Sequence, residues 1–138
     1  MRPASIVNFE RVVLLMIVLG LVNAALNWDA MLAYVAAQGM GSTVLIVVQA
    51  ISVAVMLLLL WLISRRRSVI ARWIWIALVV LGIAVAVPGL SDTFELPTAM
   101  LIVQIVQWLL SLATVWLLLR PDASAWFARR DEAETTVS

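Results

Sequence analysis

Cysteine, histidine and lysine are all missing from this chain. The first two absences exclude disulfides, thiol chemistry, Cys/His metal sites, His-ligated haem and a histidine general base, and much of enzyme chemistry goes with them. Charge is scarce as well. Only 12% of the 138 residues are charged and 65% are hydrophobic, whereas a soluble domain carries about 25% charged and roughly 45 to 50% apolar residues. The composition is that of an integral membrane protein, and the expected fold class is an all-α four-helix bundle. Four apolar segments of about 20 residues, the length needed to cross a hydrocarbon core, use up most of a single domain at 1–130.

The missing lysine points the same way. All nine basic residues are arginine, and the net charge of +1 conceals their segregation. Arg65, Arg66 and Arg67 are consecutive, with Arg72 a few residues on, and they lie between two long apolar runs. Guanidiniums in that number are too costly to carry across a bilayer, so this hairpin stays on the side where the chain is made. Both termini then share that side with Arg129 and Arg130, and the opposite loops carry only Asp29, Asp92 and Glu95. The pattern describes membrane topology, with lipid headgroups as the partner of the arginines, and not nucleic-acid binding.

The spans follow in order. Asn8 is a candidate N-cap with Glu10 in the first turn, giving a first span at about 9–27. Arg2 and Arg11 before this run resemble a signal peptide, but the stretch from Val12 to Leu26 is at the upper limit for a signal core, so a retained helix is expected. Gly20 and Ala24 form a small-xxx-small pair on the side of Met16, Asn23 and Asn27. Between the first two spans, Asp29 as N-cap and Gly39 as stop predict a short helix at 29–38 lying in the interface beside Trp28 and Tyr34.

The second span, 43–63, is aliphatic apart from Gln49 and Ser52. The third, 69–87, opens with Arg72, which can snorkel to the headgroups, and carries the small pair Gly82 and Ala86. Pro88 and Gly89 end it, and Pro97 suits the first turn of the fourth span at 98–119. On that last span Gln104, Gln107, Trp108, Ser111 and Thr114 fall within an arc of about 120°. Unpaired amides in hydrocarbon are costly, so this stripe should face other helices, another subunit or water. Beyond Arg120 and Pro121, a capped amphipathic segment is expected at 122–130, with Trp126 and Phe127 dipping into the interface and a disordered tail at 131–138.

No Asp, Glu, Lys or Arg lies within the four spans between the interfaces. Proton-coupled carriers and intramembrane hydrolases need such groups at depth. Small multidrug carriers match the size and span number but are built around a membrane-embedded Glu in the first helix, and Glu10 is too shallow to serve. No cofactor or metal is implied, and the expectation is a protein that is not an enzyme. What remains are the amides and hydroxyls of Asn23, Asn27, Gln49, Ser52, Gln104, Gln107, Ser111 and Thr114, together with Trp108. They serve either as interhelical contacts, in a homo-oligomer or an accessory subunit of a membrane complex, or as the lining of a path for a neutral solute or ion. A third reading has Arg65, Arg66, Arg67, Arg72, Arg129 and Arg130 holding anionic lipid or a partner at the membrane surface. Of the seven tryptophans, Trp28, Trp61, Trp73, Trp75, Trp116 and Trp126 are expected as interface anchors.

Ser64 to Ser68 with its three central arginines, the run Ala71, Arg72, Trp73, and Arg120 and Pro121 followed by Ala125, Trp126 and Phe127 together resemble small, functionally uncharacterised four-span bacterial inner-membrane proteins. The likeness is one of layout and interface residues. It implies an inner-membrane compartment and no particular activity.

Overall fold

The computed structural model describes residues 1–87 and 98–137, and every regular element among them is helical. The helices are α1 (Ala4–Leu26), α2 (Trp28–Ala37), α3 (Ser42–Ser64), α4 (Val69–Ala86), α5 (Thr98–Leu119) and α6 (Pro121–Val137). Four of them, α1, α3, α4 and α5, are long and apolar enough to cross a membrane. They form a ring in which α1 neighbours α3 and α5, and α4 neighbours the same two helices. The closest pair is α1 with α5, first and last around the ring. Ser5 meets Asp122 and Gly20 meets Gln107, and equal steps up α1 and back along α5 and α6 connect these pairs. The two helices therefore run antiparallel, and the ring is closed.

Several helix ends differ from the sequence expectation. Helix α1 begins at Ala4 behind an extended Pro3, so Asn8 and Glu10 lie inside the helix and Asn8 is not its cap. Burial explains the longer helix, because Ser5, Ile6 and Phe9 are needed in the core and the backbone stays helical to deliver them. Arg2 reaches along α1 to pair with Glu10. Helix α2 starts at Trp28, behind Asn27 rather than at Asp29. The Asn27 side chain makes no cap, since its amide donates back to Asn23 O and Oδ1, both at 2.9 Å. At its other end the stop is as read: Gly39 takes φ 74°, its N–H donates to Ala36 O, and Met40 N–H donates to Val35 O. That is a Schellman closure, which favours glycine at the left-handed position.

The α3–α4 hairpin closes differently. Arg67 carries φ 52°, and Ser68 N–H donates to Leu62 O at 3.1 Å. Ser68 then caps α4, its hydroxyl accepting from Ala71 N–H. Helix α6 has Pro121 in its first turn, where a missing N–H costs nothing; Asp122 follows it and contacts Ser5 instead of capping. The backbone of α6 stays helical to Val137, past Arg130, where the sequence predicts the amphipathic segment to end and a disordered tail to begin. Alanine and glutamate in that stretch are good helix formers. The predicted turn from Pro88 to Pro97, with Asp92 and Glu95, lies outside the described residues.

The buried core is at one end. It joins Ile6, Phe9 and Val13 of α1, Leu59, Leu60 and Ile63 of α3, Ala71 and Trp75 of α4, Leu117 and Leu118 of α5, and Ala123, Trp126 and Phe127 of α6. This is the end where the hairpin arginines lie. Two anchor assignments are corrected here: Trp75 is 3% exposed and Trp126 6% exposed, so both are core residues, as is Phe127. Apolar lipid gives no hydrophobic reward for helix contact, so close fit and hydrogen bonds decide such packing. Trp75 supplies both, standing edge-on to Phe9 with ring centres 5.3 Å apart. Trp61, Trp73 and Trp116 are exposed on the outer surface.

Candidate functional site

Above the core the four spans part around a cavity of about 420 Å³. Met16 and Gly20 of α1, Met56 and Leu59 of α3, Trp75 to Ile83 along one face of α4, and Gln104, Gln107, Trp108 and Ser111 of α5 line it. The polar stripe read on the last helix therefore faces the molecule's own interior. Helical spacing places these four side chains together, and α1 makes room for them at Gly20. A Cβ at Gly20 would stand 3.7 Å from Gln107 Nε2. Gly82, read as half of a packing pair, meets no atom within 4 Å where a Cβ would be, so it widens the cavity instead of seating a helix.

The site's hydrogen-bonding is unbalanced. Ser111 Oγ donates to Gln107 O at 2.8 Å, a local bond within the helix. The amides of Gln104 and Gln107 and the indole N–H of Trp108 have no hydrogen-bond partner among the described residues, although all three residues line the cavity. Thr114, fully buried, lies one turn below. Its hydroxyl donates to Ser111 O at 2.6 Å and accepts from Trp75 Nε1 at 3.0 Å, so α4 and α5 are joined beneath the cavity. Methionine sulfur at Met16 and Met56 lends an adaptable wall.

The other sequence-predicted polar residues lie elsewhere. Asn23 and Asn27 pair with each other at the α1–α2 corner. Ser52 Oγ donates to Val48 O and stays on its own helix. Gln49 lines a shallow groove between α1, α2 and α3, with Leu21, Trp28, Ile46, Ala50 and Ala54 among its neighbours. The Asn23–Asn27 pair, Ser52 and Gln49 thus each stand apart from the cavity. Sequence reasoning missed Trp75 as a cavity and core residue. The signal was present in the helical spacing of Ala71, Trp75, Val79 and Gly82, which puts the ring inward.

At the core end the arginines lie on aromatic rings. Arg66 stands 4.9 Å from the Trp61 ring centre, Arg67 4.0 Å from that of Trp126, Arg72 5.2 Å from that of Phe127, and Arg120 5.0 Å from that of Trp116. Arg72 also donates to Ser124 Oγ at 3.4 Å, so it is turned toward α6 as well as the surface. Arg65 and Arg129 are exposed, and the Arg130 side chain is outside the described residues. Asp122 accepts from Ser5 Oγ at 2.7 Å and Ser5 N–H at 3.3 Å. The Ser5 hydroxyl bond, helped by the backbone bond and by Arg120 at 3.6 Å, holds this carboxyl below its ordinary range against some desolvation. Among the described residues no three carboxylates gather to hold a metal ion.

No protein family, curated protein or solved structure matches the chain. Any functional reading therefore stands on the site itself. What the fold defines is a multi-pass helical membrane protein.

Proposed function

We propose that this is a four-span bacterial inner-membrane protein, its termini and Arg65–Arg67 hairpin cytoplasmic, that binds or passes a small neutral polar solute and carries out no covalent chemistry. One observation carries the reading: unpaired amides and an indole N–H line a cavity between all four spans. At about 420 Å³ the cavity falls in the range of roughly 300 to 1,000 Å³ usual for small-molecule sites. Amide oxygens accept and amide and indole N–H groups donate, which suits a solute that does both, or a dehydrated ion held by the oxygens. Without such an occupant or water, these half-buried groups have no hydrogen-bond partner among the described residues.

Flux in proteoliposomes tests it, with a panel of small polyols, amides and monovalent ions. Uptake of at least one class, lost in Gln104→Leu/Gln107→Leu and kept in Gln49→Leu, is the expected result. No flux and no binding across the panel refutes it. Because cysteine is absent, single cysteines at Ala36 and Arg66 report the topology without background labelling.

The Gln49 groove favours a second reading, a helix-contact role in which a second copy of the chain docks there. Gln49 has no hydrogen-bond partner among the described residues, and Ala50 and Ala54 flank it on the groove. Two such amides can pair reciprocally across a twofold axis. Particle mass in lipid nanodiscs is the test: a dimer that Gln49→Leu splits supports it, and an invariant monomer refutes it.

A further inference from the structure

Three buried side-chain atoms at the core end have no hydrogen-bond partner: Ser64 Oγ, Arg72 Nε and Trp126 Nε1. All three carry a hydrogen to donate. Ser64 is 2% exposed and Trp126 6% exposed, so these donors sit beneath the surface of the joint with no acceptor from the described residues. They come from the end of α3, the start of α4 and the first turns of α6, the joint between the hairpin and the last helix. Two guanidiniums share that joint. Arg67 lies on the Trp126 ring at 4.0 Å, and Arg72 on the ring of its neighbour Phe127.

Neither Arg67 nor Arg72 has an ion-pair partner among the described residues; the carboxylates of Glu10 and Asp122 pair with Arg2 and Arg120. Asp122, on the same helix as Trp126, is occupied by Ser5. Donors without acceptors, beside cations without anions, define a site for an oxyanion. A planar guanidinium suits phosphate oxygens, and further N–H and O–H donors suit a ligand with more oxygens than a carboxylate.

We propose that the joint of Ser64, Arg67, Arg72 and Trp126 is a binding site for a phosphate group. Its level favours a phospholipid headgroup: Trp61, Trp73 and Trp116, the exposed indoles of the aromatic belt, lie on the adjoining turns. A soluble phosphate would present the same oxygens. Occupancy ties the hairpin to α6, and so couples the lipid around the protein to the packing of the core beneath the cavity. The proposal is independent of what the cavity holds.

Delipidated protein in a neutral detergent, titrated separately with phosphatidylglycerol and with inorganic phosphate, distinguishes the sources by native mass spectrometry and by thermal stability. Retained lipid that raises the melting temperature, with inorganic phosphate inert, makes the headgroup the occupant. Stabilisation by inorganic phosphate makes it a soluble anion. In either case Arg72→Gln should weaken binding about tenfold, the size of one charge-assisted hydrogen bond. Trp126→Phe keeps an aromatic ring under Arg67 but removes the N–H together with part of the buried indole, so it should weaken binding measurably and also lower the unliganded melting temperature. Equal binding by the wild type and both variants, or no binding of either probe, overturns the proposal.

Discussion

Replacing Thr114 by valine isolates the joint between α4 and α5. The two side chains have nearly the same shape, and Thr114 is fully buried with Trp75 only 3% exposed, so packing is retained while the indole N–H loses its acceptor. Trp75 cannot turn to find another, because its ring is held edge-on against Phe9 with centres 5.3 Å apart. An orphaned buried donor costs about 1 to 3 kcal/mol, while interhelical bonds in membranes average about 0.6 kcal/mol because the unfolded chain in lipid also finds partners. Complete burial and the 3.0 Å length put the cost above the membrane average, and we expect Thr114→Val to destabilise by about 1.5 kcal/mol. The second bond of the hydroxyl, to Ser111 O, is local; losing it leaves a carbonyl already inside a helical ladder. The assay is reversible unfolding of the purified protein by a denaturing detergent in mixed micelles. A double-mutant cycle with Trp75→Phe should give a coupling of about 1 kcal/mol, and Thr114→Ser should show little coupling loss. Additive effects of Thr114→Val and Trp75→Phe, within about 0.3 kcal/mol, would refute the joint.

Further outcomes follow from other parts of the molecule. Gly20→Ala should change stability by less than about 1 kcal/mol, since its new Cβ meets Gln107 Nε2 at an ordinary 3.7 Å, whereas Gly20→Leu should fill the cavity and abolish flux. Arg67→Gly should be nearly neutral in the wild type, because relief of about 1 kcal/mol of left-handed strain offsets a cation–aromatic contact of similar size. In a Trp126→Ala background the same change should stabilise the protein, and detergent unfolding of the four variants decides it. Asp122 has its carboxyl pKa lowered chiefly by the Ser5 hydroxyl. Its stabilisation is therefore fully present above the unfolded value of about 3.9 and is lost as pH falls through the lower folded value. Melting temperatures below pH 4 should fall more steeply for the wild type than for Asp122→Asn.

The cavity-lining residues show how far the pattern of residue types reaches. Helical spacing alone put Gln104, Gln107, Trp108 and Ser111 on one side of the last span, and they do share one wall. Gln49 and Asn23 stand seven residues from the cavity-lining Met56 and Met16, on the same helical faces, yet Asn23 is held by Asn27 at the α1–α2 corner and Gln49 lines the groove beside α2. How the helices diverge along their length is not encoded in any local pattern of polar and apolar residues. The tryptophans divide in the same way. Proximity to arginine suggested an anchor for Trp75 and Trp126 as much as for Trp61, but only the fold shows that two of these rings point inward.

The amino-acid sequence by itself determined the number of membrane spans, their approximate limits, the clustering of arginine at one end and the absence of charge at depth. Each of these follows from the bilayer acting on the chain segment by segment, through the cost of moving its groups out of water. The tertiary structure alone decided the ring order, the inward turn of the last helix's amides, the bond from Trp75 to Thr114, and the meeting of Arg67 and Arg72 with the rings of Trp126 and Phe127. Those depend on contacts between residues far apart in the chain. Where lipid and side chains are equally apolar, small differences in fit and hydrogen bonding choose among them.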